Sequence, residues 1–263
     1  MSYTNKIKVN VLLAEHTSFK IGGPAKYFVE VENSEEIIKA VEFAKSNHLP
    51  YFILGGGSNL LVSDNGFDGL VIKVQNTKHQ ILGTKIIAEA GVKLSDLVKA
   101  SIENNLTGLE WAIGIPGTIG GAVKINAHAF GSNISELVGD IKKDNNIIIS
   151  VELELKKGDK KESDKLIEEY IKKRKNSQPL EYPSAGCIFK NIPGYGAGRL
   201  IDKAGLKGVK IGQAMISDKH ANFIINLGGA KAEDIVKLIK LVKETVKDKF
   251  KINLKEEINY LGF

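Results

Sequence analysis

The 263-residue sequence has one cysteine, one tryptophan, two methionines and six prolines, and its only arginines are Arg174 and Arg199. A single thiol, Cys187, excludes an internal disulfide. Neither it nor the five scattered histidines stand at zinc-ligand spacing, so no metal is expected. No stretch approaches the roughly 18 uncharged apolar residues of a membrane span. The opening MSYTNKIKVN lacks the apolar core of a signal peptide, and a cytoplasmic protein is expected. Two arginines leave little bidentate recognition of carboxylate or phosphate, and the remaining positive charge is lysine, a point charge on a flexible stem.

The chain is 43% hydrophobic and 26% charged, enough for one large core or two modest ones, and two domains are expected. The net charge of +6 comes from lysines interleaved with acids, as in KKGDKKESDKLIEEYIKKRK, a solvated helix face rather than a nucleic-acid surface. A mildly basic protein suits anionic small molecules such as nucleotides and carboxylates.

Hydrophobic periodicity and turn residues predict an α+β chain. Ser34 as N-cap, Glu35 and Glu36 in a first turn, and Ile37, Ile38, Val41 and Ala44 at helical spacing predict a helix over 35–47. Strands are predicted at 28–31, 51–54, 60–62, 70–74, within IIAEAGV, and, as a buried strand, at 146–155. Further helices are predicted from a cap at Ser95, over 162–175, and over 232–249. The charged helix ending near NSQP marks the candidate boundary between a first domain, 1–160, itself divided near 75–80, and a second, 161–263.

The strongest local signal is LGGGSNLLV. Gly55, Gly56 and Gly57 follow a strand and permit positive φ, so that successive N–H groups can cradle phosphate oxygens. Ser58 and Asn59 add side-chain donors. The stretch is no Walker loop, and the strand-forming LLV that follows is unlike the helix of a dinucleotide fingerprint. A second glycine-rich stretch, GIPGTIGG, lies about fifty residues on. There Pro116 stiffens a loop that Gly117, Gly120 and Gly121 let approach a ligand, although tight packing of backbone on backbone is an alternative for Gly120 and Gly121.

FKIGGPAKYF, LGGGSNLLV, GLEWAIGIPGTIGGAVKINA, QPLEYPSAGCIFKN, AGRLIDKAGLKG, SDKHANFIIN and NLKEEINYLG follow one another in the order found in UDP-N-acetylenolpyruvoylglucosamine reductases, which the chain resembles over nearly its whole length. The resemblance implies a two-lobed FAD-binding domain of the vanillyl-alcohol-oxidase type, a smaller α+β substrate-binding domain, and NADPH as reductant. It also implies a part in peptidoglycan precursor synthesis, with UDP-N-acetylglucosamine enolpyruvate as the substrate of a monomeric enzyme. By position, it implies that Gly55, Gly56, Gly57, Ser58 and Asn59 hold the FAD pyrophosphate. Gly114, Ile115, Pro116, Gly117, Thr118, Gly120 and Gly121 are implied to line the flavin and adenosine. Arg174, Gln178, Lys190 and Asn191 are assigned to the substrate, and Glu257 matches the family's catalytic glutamate near the C-terminus. Cys187 falls where most members carry a serine that acts as general acid.

The implied chemistry delivers a hydride to the terminal carbon of the enolpyruvyl ether. Negative charge then spreads over the neighbouring carbon and its carboxylate, so a donor or cation must stand beside the carboxylate and a proton must reach the carbon. The family's Tyr-Arg-x-Ser segment is missing, and the interval reads VGDIKKDNNIII. By position Lys142 or Lys143 is the substitute for its arginine, with a solvated surface residue as the alternative reading of Lys142, and His128 stands where a glycine is usual. The alternatives are another FAD-linked oxidoreductase of the same fold and a catalytically inactive nucleotide-binding homologue.

Overall fold

The structure, a computed structural model, describes residues 6–192 and 194–263. The chain forms two compact units. Of the described residues, the first holds 6–8 together with Tyr27–Gly56 and Gly69–Arg174; the second holds Val9–Lys26, Gly57–Asp68 and those from Lys175 to Phe263.

The first unit has two cores. In one, helix α1 (Ser34–Ser46) buries Ile37, Ala40, Val41 and Ala44 against Val29, Val31, Leu70 and Ile72. Strand Tyr51–Leu54 runs parallel to strand Phe67–Val74, with Tyr51 opposite Leu70 and Leu54 opposite Lys73. The N-cap of α1 is Asn33, not Ser34: its Oδ1 accepts from Glu36 N at 2.9 Å. An asparagine in extended conformation reaches the amide of the third helical residue as well as a serine does.

The second core is built on an antiparallel sheet whose strand order is Val138–Asp144, Ile147–Glu154, Lys85–Glu89, His79–Leu82. Helices α2 (Leu94–Glu103) and α3 (Ile119–Ile125) contribute Leu94, Leu97, Val98, Ile119 and Ala122 to this core. The stretch predicted as a fully buried strand alternates instead, with Ile147, Ile149, Val151 and Leu153 buried and the residues between them partly exposed. Its neighbour Val138–Asp144 gave no sequence signal because VGDIKKD is polar. Asn145 and Asn146, at φ 44° and 66°, turn the chain back between the two strands, as asparagines do in a tight hairpin. Helix α2 starts at Leu94 without a side-chain cap, although Ser95 was the expected one. Leu94 N donates to Gly117 O at 3.1 Å, so a neighbouring loop sets this helix start.

Helix α4 (Lys160–Ser177) begins at Asp159, whose Oδ1 accepts from the N–H groups of Lys161 and Glu162. It is tied to the second core by Glu110, which is only 3% exposed. The Glu110 carboxylate accepts from Ser163 Oγ at 2.6 Å, Thr107 Oγ1 at 2.7 Å and Gly108 N at 2.7 Å. Burial pushes this carboxyl upward, but the hydrogen bonds outweigh burial and hold it below its ordinary value.

In the second unit, strands Ser184–Cys187, Phe223–Asn226, Ala214–Ile216 and Lys210–Ile211 lie in that order. They pack with α5 (Ala197–Lys203) and α6 (Ala232–Phe250) around Leu200, Ile201, Ile224, Ile235, Leu238 and Val242. Strand Asn259–Leu261 pairs in parallel with Leu60–Val62. The side chain of Asp64 accepts from the first two N–H groups of α6, those of Ala232 and Glu233.

Glu110 generates a stability prediction. A glutamine offers one acceptor where the carboxylate offers two, and its NH₂ would face a donor, so Glu110→Gln should cost about 1–3 kcal/mol at neutral pH. A carboxyl held below its ordinary value stabilises the fold above the unfolded pKa, near 4.5, and loses that contribution as pH falls through the folded value. Urea melts should therefore show the gap between wild type and variant shrinking below that pH; a gap independent of pH would contradict this account.

Candidate functional site

The two glycine-rich stretches meet inside the first unit. A Cβ on Gly55 would stand 2.6 Å from Thr118 Oγ1, and one on Gly56 would stand 2.5 Å from Gly117 Cα. Any side chain at Gly56 would thus drive into the backbone of the second loop. The two loops form a surface of bare main chain, on which Gly114 at φ +75° and Gly117 at φ +128° take conformations open to glycine. The N–H groups of Gly56, Gly114 and Gly117 have no main-chain acceptor among the described residues. This cradle of close-set glycines fits a pyrophosphate held by N–H groups.

The individual residues separate into roles. Gly57 is buried at φ +64°, and a Cβ there would lie 2.2 Å from His16 O. It belongs to the second unit, where Ser18 N donates to its carbonyl at 3.1 Å. Of the three glycines, only Gly57 has positive φ; Gly55 and Gly56 are required by close approach instead. Gly120 faces Ala90, with its N–H on Ala90 O at 2.9 Å and a virtual Cβ 2.7 Å from Ala90 Cβ, so its missing side chain serves packing. Gly121 is exposed, with its N–H on Thr118 Oγ1 at 3.3 Å. Thr118 is buried at the start of α3, Ile115 is partly buried against the core of this unit, and Pro116 is exposed.

Lys73 gave no signal in the sequence, because it sits inside the apolar strand LVIKV. It is half-buried, and its Nζ donates to Gly55 O at 2.5 Å. Burial lowers its pKa, nearby Lys93 adds to that, and Glu30 opposes it. The strand thereby places an ammonium under the first glycine loop. Arg174, expected at the substrate, is 8% exposed and packs on the second loop: its Cδ lies 3.0 Å from the position of a Cβ on Gly114. Its guanidinium lies 5.1 Å from the Phe130 ring, which stacks on Tyr170 at 4.3 Å. Lys142 is exposed on its strand opposite Ser150, and His128 is exposed in a short hairpin.

In the second unit the residues assigned to acid catalysis converge through main chain. Glu257 N donates to Ile188 O at 2.8 Å and Lys190 N to Lys255 O at 2.9 Å. The segment after Cys187 therefore runs antiparallel to the segment carrying Glu257, and both side chains are half-buried. Asn59 Nδ2 donates to Glu257 O at 3.1 Å, which engages a donor that the sequence assigned to phosphate. Ser18 Oγ donates to Ser184 O at 2.7 Å, bracing the strand that ends in Cys187. Gly186 takes φ +74°, and the register slips between Ser184 and Cys187. The cysteine therefore sits on a bulge rather than a simple turn, and bulges re-aim side chains. Asn191 Oδ1 accepts from Ala197 N at 2.9 Å at the start of α5. Gln178 is half-buried and Lys190 exposed.

Residues 178–261 match the family model of the UDP-N-acetylenolpyruvoylglucosamine reductase C-terminal domain, and residues 25–158 match an FAD-binding domain. The chain is 42% identical to the UDP-N-acetylenolpyruvoylglucosamine reductase of Caldanaerobacter subterraneus, over 98% of this chain and 94% of the relative. It is 41% identical to that of Clostridium tetani, over 98% and 93%. The chain belongs to the UDP-N-acetylenolpyruvoylglucosamine reductase family. The crystal structure of the Thermus caldophilus reductase superposes with a TM-score of 0.83 at 35% identity, covering 97% of this chain and 99% of that one. Family membership makes the chain an FAD-containing, NADPH-dependent oxidoreductase of peptidoglycan synthesis. No described helix is long and apolar enough to cross a membrane.

The meeting of the two loops generates the second prediction. Gly56→Val should abolish FAD retention, read from the flavin absorbance of the purified protein, while circular dichroism shows a folded chain. A folded variant with stoichiometric FAD would make the Gly56–Gly117 approach purely structural.

Proposed function

We propose that this chain reduces UDP-N-acetylglucosamine enolpyruvate to UDP-N-acetylmuramate, with Cys187 as proton donor and Glu257 beside the substrate carboxylate. The observation that carries the assignment is the hydrogen bond from Glu257 N to Ile188 O. It fixes the two residues on adjacent, antiparallel stretches of one unit. When bound and reduced by NADPH, FAD would supply the hydride for the terminal carbon of the enolpyruvyl group. The Cys187 thiol gives its proton to the neighbouring carbon, the C=C bond becomes a C–C single bond, and the resulting thiolate regains a proton from solvent.

A thiol is a stronger acid than a serine hydroxyl, so it can do the serine's task. Glu257, when protonated, donates to the carboxylate on which charge develops. Gly55, Gly56, Gly57, Ser58 and Asn59, with Gly114–Gly121, are the FAD-holding residues. Residues 161–263 form the substrate domain, with Gln178, Lys190 and Asn191 at the uridine diphosphate and Arg174 as a further cation. Lys142 stands in for the absent arginine. We assign the protein to the cytoplasm as a monomer, with no membrane or nucleic-acid partner.

Cys187→Ser should retain substantial turnover. Cys187→Ala should let NADPH bleach the flavin at the normal rate while reoxidation by the enolpyruvyl substrate stalls, as expected for a donor that contributes about 10²–10⁴-fold. Stopped-flow absorbance separates the two half-reactions, and full activity of the alanine variant would remove Cys187 from the mechanism. Lys142→Ala should likewise slow reoxidation alone. An unchanged reoxidation rate would return Lys142 to the solvent, and a protein that binds FAD but turns over no substrate would favour the inactive homologue.

A further inference from the structure

Asn222 is 2% exposed, an amide placed where the core is otherwise apolar. Its Nδ2 donates to Phe189 O at 2.8 Å and its Oδ1 accepts from Phe189 N at 3.0 Å. The same residue's main-chain carbonyl accepts from Ile188 N at 2.8 Å. Asn222 thus meets Phe189 as a strand partner would, with donor on acceptor and acceptor on donor, but through its side chain. Phe189 and Ile188 are themselves buried, at 1% and 0%. Their opposite side is held by Glu257 N on Ile188 O and by the bridge between Phe189 and Glu256.

The residues flanking this doubly held peptide are Cys187 on one side and Lys190 and Asn191 on the other. Only an amide of this reach satisfies both groups of Phe189. A carboxylate would set negative charge against the Phe189 carbonyl, and a shorter side chain would leave a buried N–H and C=O unpaired. We propose that Asn222 is a positioning residue for the reaction, clamping the Phe189 peptide so that Cys187 and Asn191 are presented together to the substrate.

The inference rests on the acid role proposed for Cys187, and the experiment keeps the two apart. In FAD-loaded holoenzyme, Asn222→Asp removes the donor at nearly constant volume. Its reoxidation by UDP-N-acetylglucosamine enolpyruvate should fall at least about tenfold more than its reduction by NADPH. Bound substrate should protect Cys187 of the wild-type enzyme from iodoacetamide, and Asn222→Asp should lose that protection at the same substrate concentration. A folded Asn222→Asp with wild-type reoxidation and intact protection overturns the proposal, as does an equal fall in both half-reactions, which would mark general damage. Asn222→Ser carries the same readouts if the aspartate variant does not fold; failure of both to yield FAD-containing protein makes Asn222 structural and also overturns it. If Cys187→Ala turns over normally, the acid assignment fails; if that variant stalls while Asn222→Asp does not, only the clamp fails.

Discussion

The second unit depends on one short piece of main chain, Ile188–Lys190, being hydrogen-bonded on both sides. On one side the partner is residues 255–257; on the other it is Asn222, whose main-chain carbonyl meets Ile188 and whose side-chain amide meets Phe189. Because side chains alternate along an extended chain, a slip of one residue would turn Cys187 away from its present face and carry Lys190 and Asn191 with it. Asn59 and Ser18 brace the same region by bonding to Glu257 O and Ser184 O. The segments 9–26 and 57–68 therefore fold with the C-terminal residues through specific polar bonds as well as apolar packing.

The first unit depends on a different constraint, the closeness of two backbones. Gly56 approaches Gly117 so nearly that it tolerates no substituent, and the start of α2 is tied to the same loop through Leu94 N on Gly117 O. Lys73 holds the first loop from below at Gly55 O. A loop fixed this way presents N–H groups with little reorganisation on binding, which favours recognition of a phosphate by preorganised dipoles.

Much of this was legible in the sequence where local chemistry dominates. Tyr51–Leu54 and Leu60–Val62 lie where β-formers bounded by turn residues put them, and α6 covers 232–250 against an expected 232–249. The glycine loops were visible because glycine is rarely dispensable where backbones touch. What was not legible depends on distant partners. Lys73 looks like an irregularity in a strand, and nothing local marks Asn222 as a partner of Phe189. Val138–Asp144 escaped notice because a polar edge strand takes its order from its neighbour, not its own periodicity.

The scarcity of arginine and the presence of the thiol bear on one another. In the proposed reaction, charge develops on the substrate before the proton arrives, and its cost depends on the cation beside the carboxylate and on the readiness of the proton donor. A lysine lacks the planar fork that pairs with both carboxylate oxygens, so replacing an arginine by Lys142 stabilises that charge less. A thiol is more acidic than a hydroxyl by several pKa units, and proton transfer from it runs further along as the carbon's charge grows, which relieves the same charge from the other side. On the roles proposed for Lys142 and Cys187, the two departures from the family pattern act in opposite directions on one transition state. The consequence is a coupling: restoring a serine at position 187 removes the compensation while the lysine remains, so Cys187→Ser, though active, should be limited by proton transfer to carbon where the native enzyme is less so. A solvent deuterium isotope effect on reoxidation that is larger in Cys187→Ser than in the native enzyme would bear this out, and equal effects would mean that the thiol answers to some other need than the missing guanidinium.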